Sequence, residues 1–332
     1  MLPIKSAMTV PLCKVEDLWF PDGNVIIRIG DRVCRVYRGY LASQSPVMAD
    51  MFSITQPSEG ADMVGEVPAM RLPDPPEEVT HWLRAMLLPQ TFPSYPNRVG
   101  PDQLLSVLRL SHKYDVQYLR QRALHHLAAF FPTDLAAAQA WDGTAHYIPL
   151  EETELVEFEP RVSAIAHEVG ALWLIPFAMY DLYSWTWAEA HDIATVVDPQ
   201  SVSSLQAVLY AYKVAVHVQN CFIAEDWLSG DSPSNCSSRC LKRERYRILD
   251  DHDMWNELHY GPLTFYTRGS EGVYNMHADS DLCGDCCRFL RQTYSEKCTY
   301  FWNRLPQAMG LPPWTELLAT KARDLALDTS DA

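Results

Sequence analysis

Cysteines gather in the last third of the chain as two close pairs. Cys236 and Cys240 form the first pair, and Cys283 and Cys286 form the second. Two thiolates at such short spacing can bind one metal ion without straining the backbone, and four thiolates complete the tetrahedral coordination of a structural zinc ion. The pattern therefore indicates a candidate structural zinc site at these four residues.

The sequence leaves two alternatives for the zinc ligands. Cys287 directly follows Cys286 and is an alternative fourth ligand, and three histidines between the pairs could replace a cysteine, namely His252, His259 and His277. The gap between the pairs is also longer than the gap in common zinc fingers. The competing interpretation is that the cysteines are small buried hydrophobic residues, which is how free cysteine commonly behaves.

Other chemistries lack the residues that they require. The Cys283-Gly-Asp-Cys286 stretch has the spacing of a thiol oxidoreductase, but that chemistry needs a βαβ context, which the surrounding sequence does not indicate. Gly230-Asp231-Ser232 lacks the G-x-S-x-G pattern of a nucleophilic serine, and no phosphate-binding or dinucleotide-binding glycine motif occurs. We expect no catalytic or cofactor-binding residues, and therefore no enzyme.

Composition limits the partners and the compartment. The chain has 332 residues, 48% of them hydrophobic, and a net charge of −15. That charge argues against direct binding to nucleic acid or to an anionic membrane. The run from Ala171 to Tyr180 is too short to span a bilayer, Met1–Pro11 does not resemble a secretory signal, and nine cysteines fit reduced thiols. We expect an intracellular protein, cytoplasmic or nuclear.

The N-terminal segment predicts a hairpin followed by helices. Val25–Ile29 is an apolar strand, Gly30-Asp31 is a two-residue turn, and Ser45-Pro46 combines a helix N-cap with a proline at the first helical position. Asp74-Pro75-Pro76 opens a further helix, whose apolar residues repeat at helical spacing. These residues are Val79, Trp82, Leu83, Met86 and Leu87. Ala69–Leu72 predicts a short strand, and two more helices are predicted from Asp102 and from Gln117.

Two of these segments resemble the BTB/POZ family. The family pattern Arg-x-x-Leu-Ala-x-x-Ser-Pro, followed by Met-Phe, is matched by Arg38, Leu41, Ala42, Ser45, Pro46, Met51 and Phe52. Tyr37 stands where the family usually has histidine, and Met48 where it often has an aromatic residue. A second segment, Leu110–Leu119, resembles the family's Lys-Tyr-x-Val helix segment. The sequence of these segments is most similar to the expanded BTB families of mushroom-forming fungi.

The resemblance implies an α+β N-terminal BTB/POZ domain followed by a mostly α-helical C-terminal domain. We predict the BTB/POZ domain at 15–131, an acidic and exposed linker at 132–159, a helical region at 160–228 and a Cys-containing C-terminal region at 229–332. Pro176 predicts a kink in the first long helix after the linker. The tail from Phe301 to Leu317 is similar to the C-termini of the same fungal group.

The same resemblance implies a protein-protein interaction module. Such domains pair with themselves as homodimers and recruit other proteins, and many are substrate adaptors of cullin-type ubiquitin ligases. The stretch Met1–Glu16 offers only a short apolar arm for pairing. The alternative function is a nuclear regulatory protein with a structural zinc module.

Overall fold

The computed structural model divides the chain into two compact units. The first comprises residues 1–126 and 147–149, and the second comprises 127–146 and 150–332. The structure describes residues 12–54, 63–141, 148–150, 152–186, 236, 240–250, 263 and 282–326. The predicted domain limits, including the one at residue 131, remain predictions.

A five-stranded mixed sheet lies in the N-terminal unit. Its strands are β1 (Cys13–Trp19), β2 (Val25–Ile29), β3 (Arg32–Val36), β4 (Met63–Val64) and β5 (Val67–Arg71). They are ordered β1-β3-β2-β5-β4, with parallel pairing of β1 with β3 and of β2 with β5. β2 and β3 form the predicted hairpin, and Gly30 has the positive φ of +58° that its turn requires.

Helices complete the N-terminal unit. They are α1 (Arg38–Gln44), α2 (Pro46–Ser53), α3 (Pro76–Leu87), α4 (Pro101–Lys113) and the first part of α5 (Gln117–Phe130). The predicted apolar stripe of α3 is buried at Val79, Trp82, Leu83 and Met86. A small mixed sheet combined with helices confirms the α+β class that the sequence predicts for this part of the chain.

Ser45 connects the two segments on which the family resemblance rests. As the N-cap of α2, its side-chain Oγ accepts a hydrogen bond from the backbone N–H of Met48 at 3.0 Å. The same hydroxyl donates to the backbone carbonyl of Tyr114, which follows α4. The Tyr114 ring stacks on Trp82 of α3, with ring centroids 4.9 Å apart. The Ser-Pro and Lys-Tyr segments therefore meet in one buried contact.

Asp74 has a different role from the helix cap that the sequence predicts. Pro75 is the residue before α3, whereas the buried Asp74 carboxylate accepts a hydrogen bond from Tyr114 Oη at 2.6 Å. It also pairs with Lys113 Nζ at 2.5 Å. The side chain thereby joins the start of α3 to the end of α4.

The C-terminal unit is mostly helical in its described part. Its helices are α6 (Leu135–Gln139), α7 (Glu152–Val169), α8 (Ile175–Thr186), α9 (Cys240–Asp250), α10 (Gly284–Ala308) and α11 (Trp314–Leu325), besides the end of α5. This agrees with the predicted mostly helical C-terminal part. Across the described ranges, no helix combines the length and the apolar character needed to cross a membrane. Residues 187–228 of the predicted helical region lie outside the described residues.

The break between α7 and α8 falls at a glycine. Gly170, with a φ of +74°, follows α7, and a short 3₁₀ turn (Leu172–Leu174) leads into α8. Pro176 is the second residue of α8. Backbone N–H groups in the first helical turn make no helical hydrogen bond, so a proline fits there without loss. The sequence predicts a kink at Pro176, but the helix instead breaks completely at Gly170.

A buried carboxyl pair joins α7 to α8. The side chains of Glu159 and Asp181 are hydrogen-bonded to each other in residues only 1% and 4% exposed. Trp141 Nε1 donates to Asp181 Oδ2 at 3.1 Å, while Glu159 Oε1 has no hydrogen-bond partner among the described residues. Burial, and then the neighbouring Asp181 charge, raise the pKa of Glu159 well above its ordinary value. This burial differs from the exposed linker that the sequence predicts up to residue 159.

Glu159→Gln is expected to make the stability of the chain less dependent on pH. The pKa of Glu159 is higher in the folded state than in the unfolded state. The folded state therefore binds the proton of the Glu159 carboxyl more tightly. Its contribution to stability is therefore present below the ordinary glutamate pKa and falls as the pH rises from there toward the folded pKa. Glutamine has the same shape, stays neutral and still donates to Asp181. Thermal unfolding of the full chain from about pH 5 to about pH 8 measures this difference.

Glu157→Gln is the matched control, because Glu157 lies on the same helix and is exposed. We expect this variant to keep the pH profile of the unchanged chain. An unchanged pH profile in Glu159→Gln would mean that the Glu159 carboxyl gains no proton affinity on folding.

Candidate metal centre

Two helix starts position the cysteine pairs. Cys240 is the first residue of α9, and Cys236 lies four residues before it. Cys283 is the N-cap of α10, and Cys286 is the third residue of that helix. The first backbone N–H groups of a helix have no helical acceptor, and the helix dipole stabilises negative charge there. Cys240, Cys283 and Cys286 therefore lie at helix starts, where thiolates are favoured.

The four sulfur atoms lie close together, all within 4.8 Å of one another. Cys236 Sγ is 3.4 Å from Cys240 Sγ, and Cys240 Sγ is 3.6 Å from Cys283 Sγ. Four thiolates around one zinc ion, with Zn–S bonds of about 2.3 Å, lie about 3.8 Å apart. The 3.4 Å and 3.6 Å separations lie just below that value, and no pair in the group exceeds 4.8 Å. They are far longer than a disulfide bond of about 2.05 Å.

Cys286, rather than Cys287, is the fourth member of the group. Successive helical residues point about 100° apart, so only one of these two neighbours can face the other three sulfurs. Cys287 Sγ instead contacts the carbonyl oxygen of Leu282 at 4.0 Å. The structure therefore brings together the four cysteines that the sequence singles out. The three alternative histidines, His252, His259 and His277, lie outside the described residues.

Two of the four thiols, Cys240 and Cys286, resist ionisation without a cation. Burial, and then hydrogen bonds with the neighbouring thiols, raise the pKa of Cys286 far above its ordinary value. Burial likewise raises the pKa of Cys240, although a backbone hydrogen bond with Cys283 acts in the opposite direction. A divalent cation reverses this balance, because it binds the thiolates and displaces their protons.

Basic side chains follow Cys240 along α9. Lys242, Arg243 and Arg247 are exposed, and Arg247 also pairs with the buried Glu244 at 2.9 Å. A zinc ion with four thiolates carries about two net negative charges. The backbone N–H groups at the two helix starts would offset part of that charge.

Within the described ranges, this is the one group of three or more histidine, cysteine or acidic side chains placed to hold a metal ion. The remaining described cysteines lie elsewhere, with Cys34 and Cys298 buried and Cys13 exposed. Burial raises the pKa of both Cys34 and Cys298 to about 12, so both stay protonated at neutral pH.

The fold and the site define a chain with an α+β N-terminal unit and a mostly helical C-terminal unit that contains a four-cysteine group. No protein-family model, no curated protein and no solved structure matches this chain. Its function is therefore inferred from its own residues and contacts.

Proposed function

We propose that this chain is a non-catalytic protein-interaction scaffold with a BTB/POZ domain at its N-terminus and a structural zinc ion in its C-terminal unit. The observation that carries the proposal is the contact made by Ser45. Its hydroxyl binds the start of α2 and the carbonyl of Tyr114, so the two segments that resemble the family also meet in space.

An exposed aromatic and basic patch offers an association surface on the N-terminal unit. Tyr40 and Tyr118 are exposed and hydrogen-bonded to each other, and the guanidinium of Arg122 lies 5.9 Å from the centroid of the Tyr118 ring. Tyr40 Oη also donates to the carbonyl of Met86 at 3.1 Å, which holds its ring in place. Tyrosine and arginine are enriched among the residues that dominate binding energy at interfaces, and fixed side chains lose little entropy on binding.

The zinc ion has a structural role in this proposal. Four protein thiolates leave no open coordination position for water or substrate, as is typical of structural rather than catalytic zinc. The ion would join the start of α9 to the start of α10, two helices separated by more than thirty residues of sequence, 251–283. In this proposal the C-terminal unit would bind the recruited protein, and its fold would depend on that connection.

Native mass spectrometry of the full chain, before and after a zinc chelator, tests both parts. We expect a homodimer with about one zinc ion per chain, and a dimer that persists when the chelator removes zinc. A monomer at micromolar concentration would contradict self-association through the N-terminal unit. Protein purified without chelator and free of metal would contradict the zinc site.

Partner capture separates the adaptor from the alternative function. A substrate adaptor should co-purify with a cullin from cells, whereas a nuclear regulatory protein should not and should concentrate in the nucleus. The basic face of α9 beside the four cysteines is the feature that favours the regulator. The net charge of −15 argues that even a nuclear regulator would bind proteins rather than DNA.

A further inference from the structure

The four thiols of the candidate metal centre differ in their access to solvent. Cys240 and Cys286 are buried, at 3% and 0% exposure, whereas Cys236 and Cys283 are partly exposed. Oxidants react with thiolates that they can reach, and zinc keeps its cysteine ligands in the thiolate form. Only Cys236 and Cys283 of this group are therefore open to an oxidant from solution.

The two accessible thiols are held differently. Cys283 caps α10, a helix of 25 residues, whose dipole stabilises negative charge on the Cys283 sulfur. A more stabilised thiolate is a weaker nucleophile. Cys236 lies outside any helix, four residues before α9 begins, and lacks this stabilisation. Cys236 is therefore the more reactive of the two.

A second thiol is placed to complete the reaction at Cys236. Cys240 Sγ lies 3.4 Å from Cys236 Sγ, within hydrogen-bonding distance. A disulfide needs the two sulfur atoms to approach by only about 1.4 Å more. Cys236 is thus accessible and adjacent to a buried partner, which is the arrangement of a redox-sensing pair.

The geometry points to Cys236 as a site of oxidation by hydroperoxides, with Cys240 as the thiol that converts the product into a disulfide. This inference rests on the zinc site proposed above and adds a reaction to it.

The reaction proceeds in two steps. The Cys236 thiolate first attacks the peroxide, so that an S–O bond forms, the O–O bond breaks and the leaving oxygen departs as hydroxide or alkoxide. The Cys240 thiolate then attacks the sulfur of the resulting sulfenic acid. An S–S bond forms, the S–O bond breaks and hydroxide leaves. Two electrons pass from the two sulfurs to the peroxide.

Zinc release follows from the loss of two ligands. Only Cys283, the N-cap of α10, and Cys286, its third residue, would remain. Two thiolates do not complete the four-coordinate site of structural zinc, so the ion leaves and the metal no longer connects α9 to α10. A reductant that regenerates both thiols, followed by zinc, restores the connection.

The test exposes the reduced, zinc-loaded full chain to hydrogen peroxide. A chelating dye reports zinc release, and peptide mass spectrometry after alkylation identifies the disulfide. We expect zinc release and a Cys236–Cys240 disulfide to increase together and to be reversed by reductant plus zinc. A Cys240–Cys283 disulfide, zinc release without a disulfide, or zinc that stays bound would overturn the inference.

Two variants sharpen the result. Cys236→His keeps a zinc ligand but removes the reactive thiol, so peroxide should release zinc more slowly by about tenfold or more. Cys287→Ser removes the neighbouring thiol, which lies outside the four-cysteine group. Peroxide should release zinc from this variant at the same rate as from the unchanged chain. If Cys236→His does not bind zinc, the inference is tested by the disulfide that peroxide forms in the unchanged chain. A chain without zinc before peroxide treatment would instead contradict the zinc proposal itself.

Discussion

Cys286→Ser is expected to remove zinc from the chain and to destabilise the region that the four thiols connect. Cys286 is fully buried, and serine would leave three thiolates and an unsatisfied hydroxyl in its place. Because zinc binding supplies about 10–16 kcal/mol in small zinc domains, the loss of one ligand should cost several kcal/mol, about 4 or more. Elemental analysis measures the zinc, and hydrogen exchange of α9 and α10 measures the local stability.

Cys287→Ser is the matched control for this variant. It changes the adjacent residue, whose sulfur contacts the Leu282 carbonyl rather than the other thiols. We expect it to keep its zinc and the exchange rates of α9 and α10. The opposite pattern, with zinc lost from Cys287→Ser and kept in Cys286→Ser, would make Cys287 the fourth ligand.

Ser45→Ala is expected to destabilise the N-terminal unit by about 2–3 kcal/mol. Loss of a serine N-cap costs about 1 kcal/mol, and a buried carbonyl that loses its donor costs about 1–3 kcal/mol. The carbonyl concerned is that of Tyr114. Hydrogen exchange of the full chain should show faster exchange in α2 and at the end of α4, with α10 unchanged.

Ser43→Ala provides the comparison on the preceding helix. Ser43 is exposed, and its hydroxyl donates only to the nearby carbonyl of Tyr40 at 2.8 Å. Its removal should change stability by less than about 0.5 kcal/mol. Equal effects of the two substitutions would show that the Tyr114 contact contributes nothing to the stability of this unit.

The sequence is most informative where a signal is local. The spacing of the cysteine pairs, the Gly30 turn and the Ser45-Pro46 helix start each depend on a few neighbouring residues, and the structure contains all of them. The choice between Cys286 and Cys287 depends instead on the rotation of α10 about its axis. That rotation is set by packing along the whole helix.

Features set by distant contacts could not be predicted. β1 has only Leu18 buried, so it lacks the alternation that identifies a strand and depends on its pairing with β3. Glu159 lies in an acidic stretch, and its burial depends on Asp181 and Trp141, which are distant in sequence. The Phe158–Pro160 neighbourhood, with apolar residues on both sides of Glu159, was the one local sign of that burial.

The distribution of the four cysteines also sets an order of events during synthesis. A ribosome delivers Cys236 and Cys240 well before Cys283 and Cys286, so the metal centre cannot close until the chain has grown beyond residue 286. The sheet and the first four helices of the N-terminal unit are complete by then and can fold first. Between these moments the Cys236 and Cys240 thiols and the apolar residues Leu241 and Ile248 would lack the proposed metal link. If the four thiols bind zinc as proposed, this region would therefore complete its fold only after residue 286 has been made and zinc has bound.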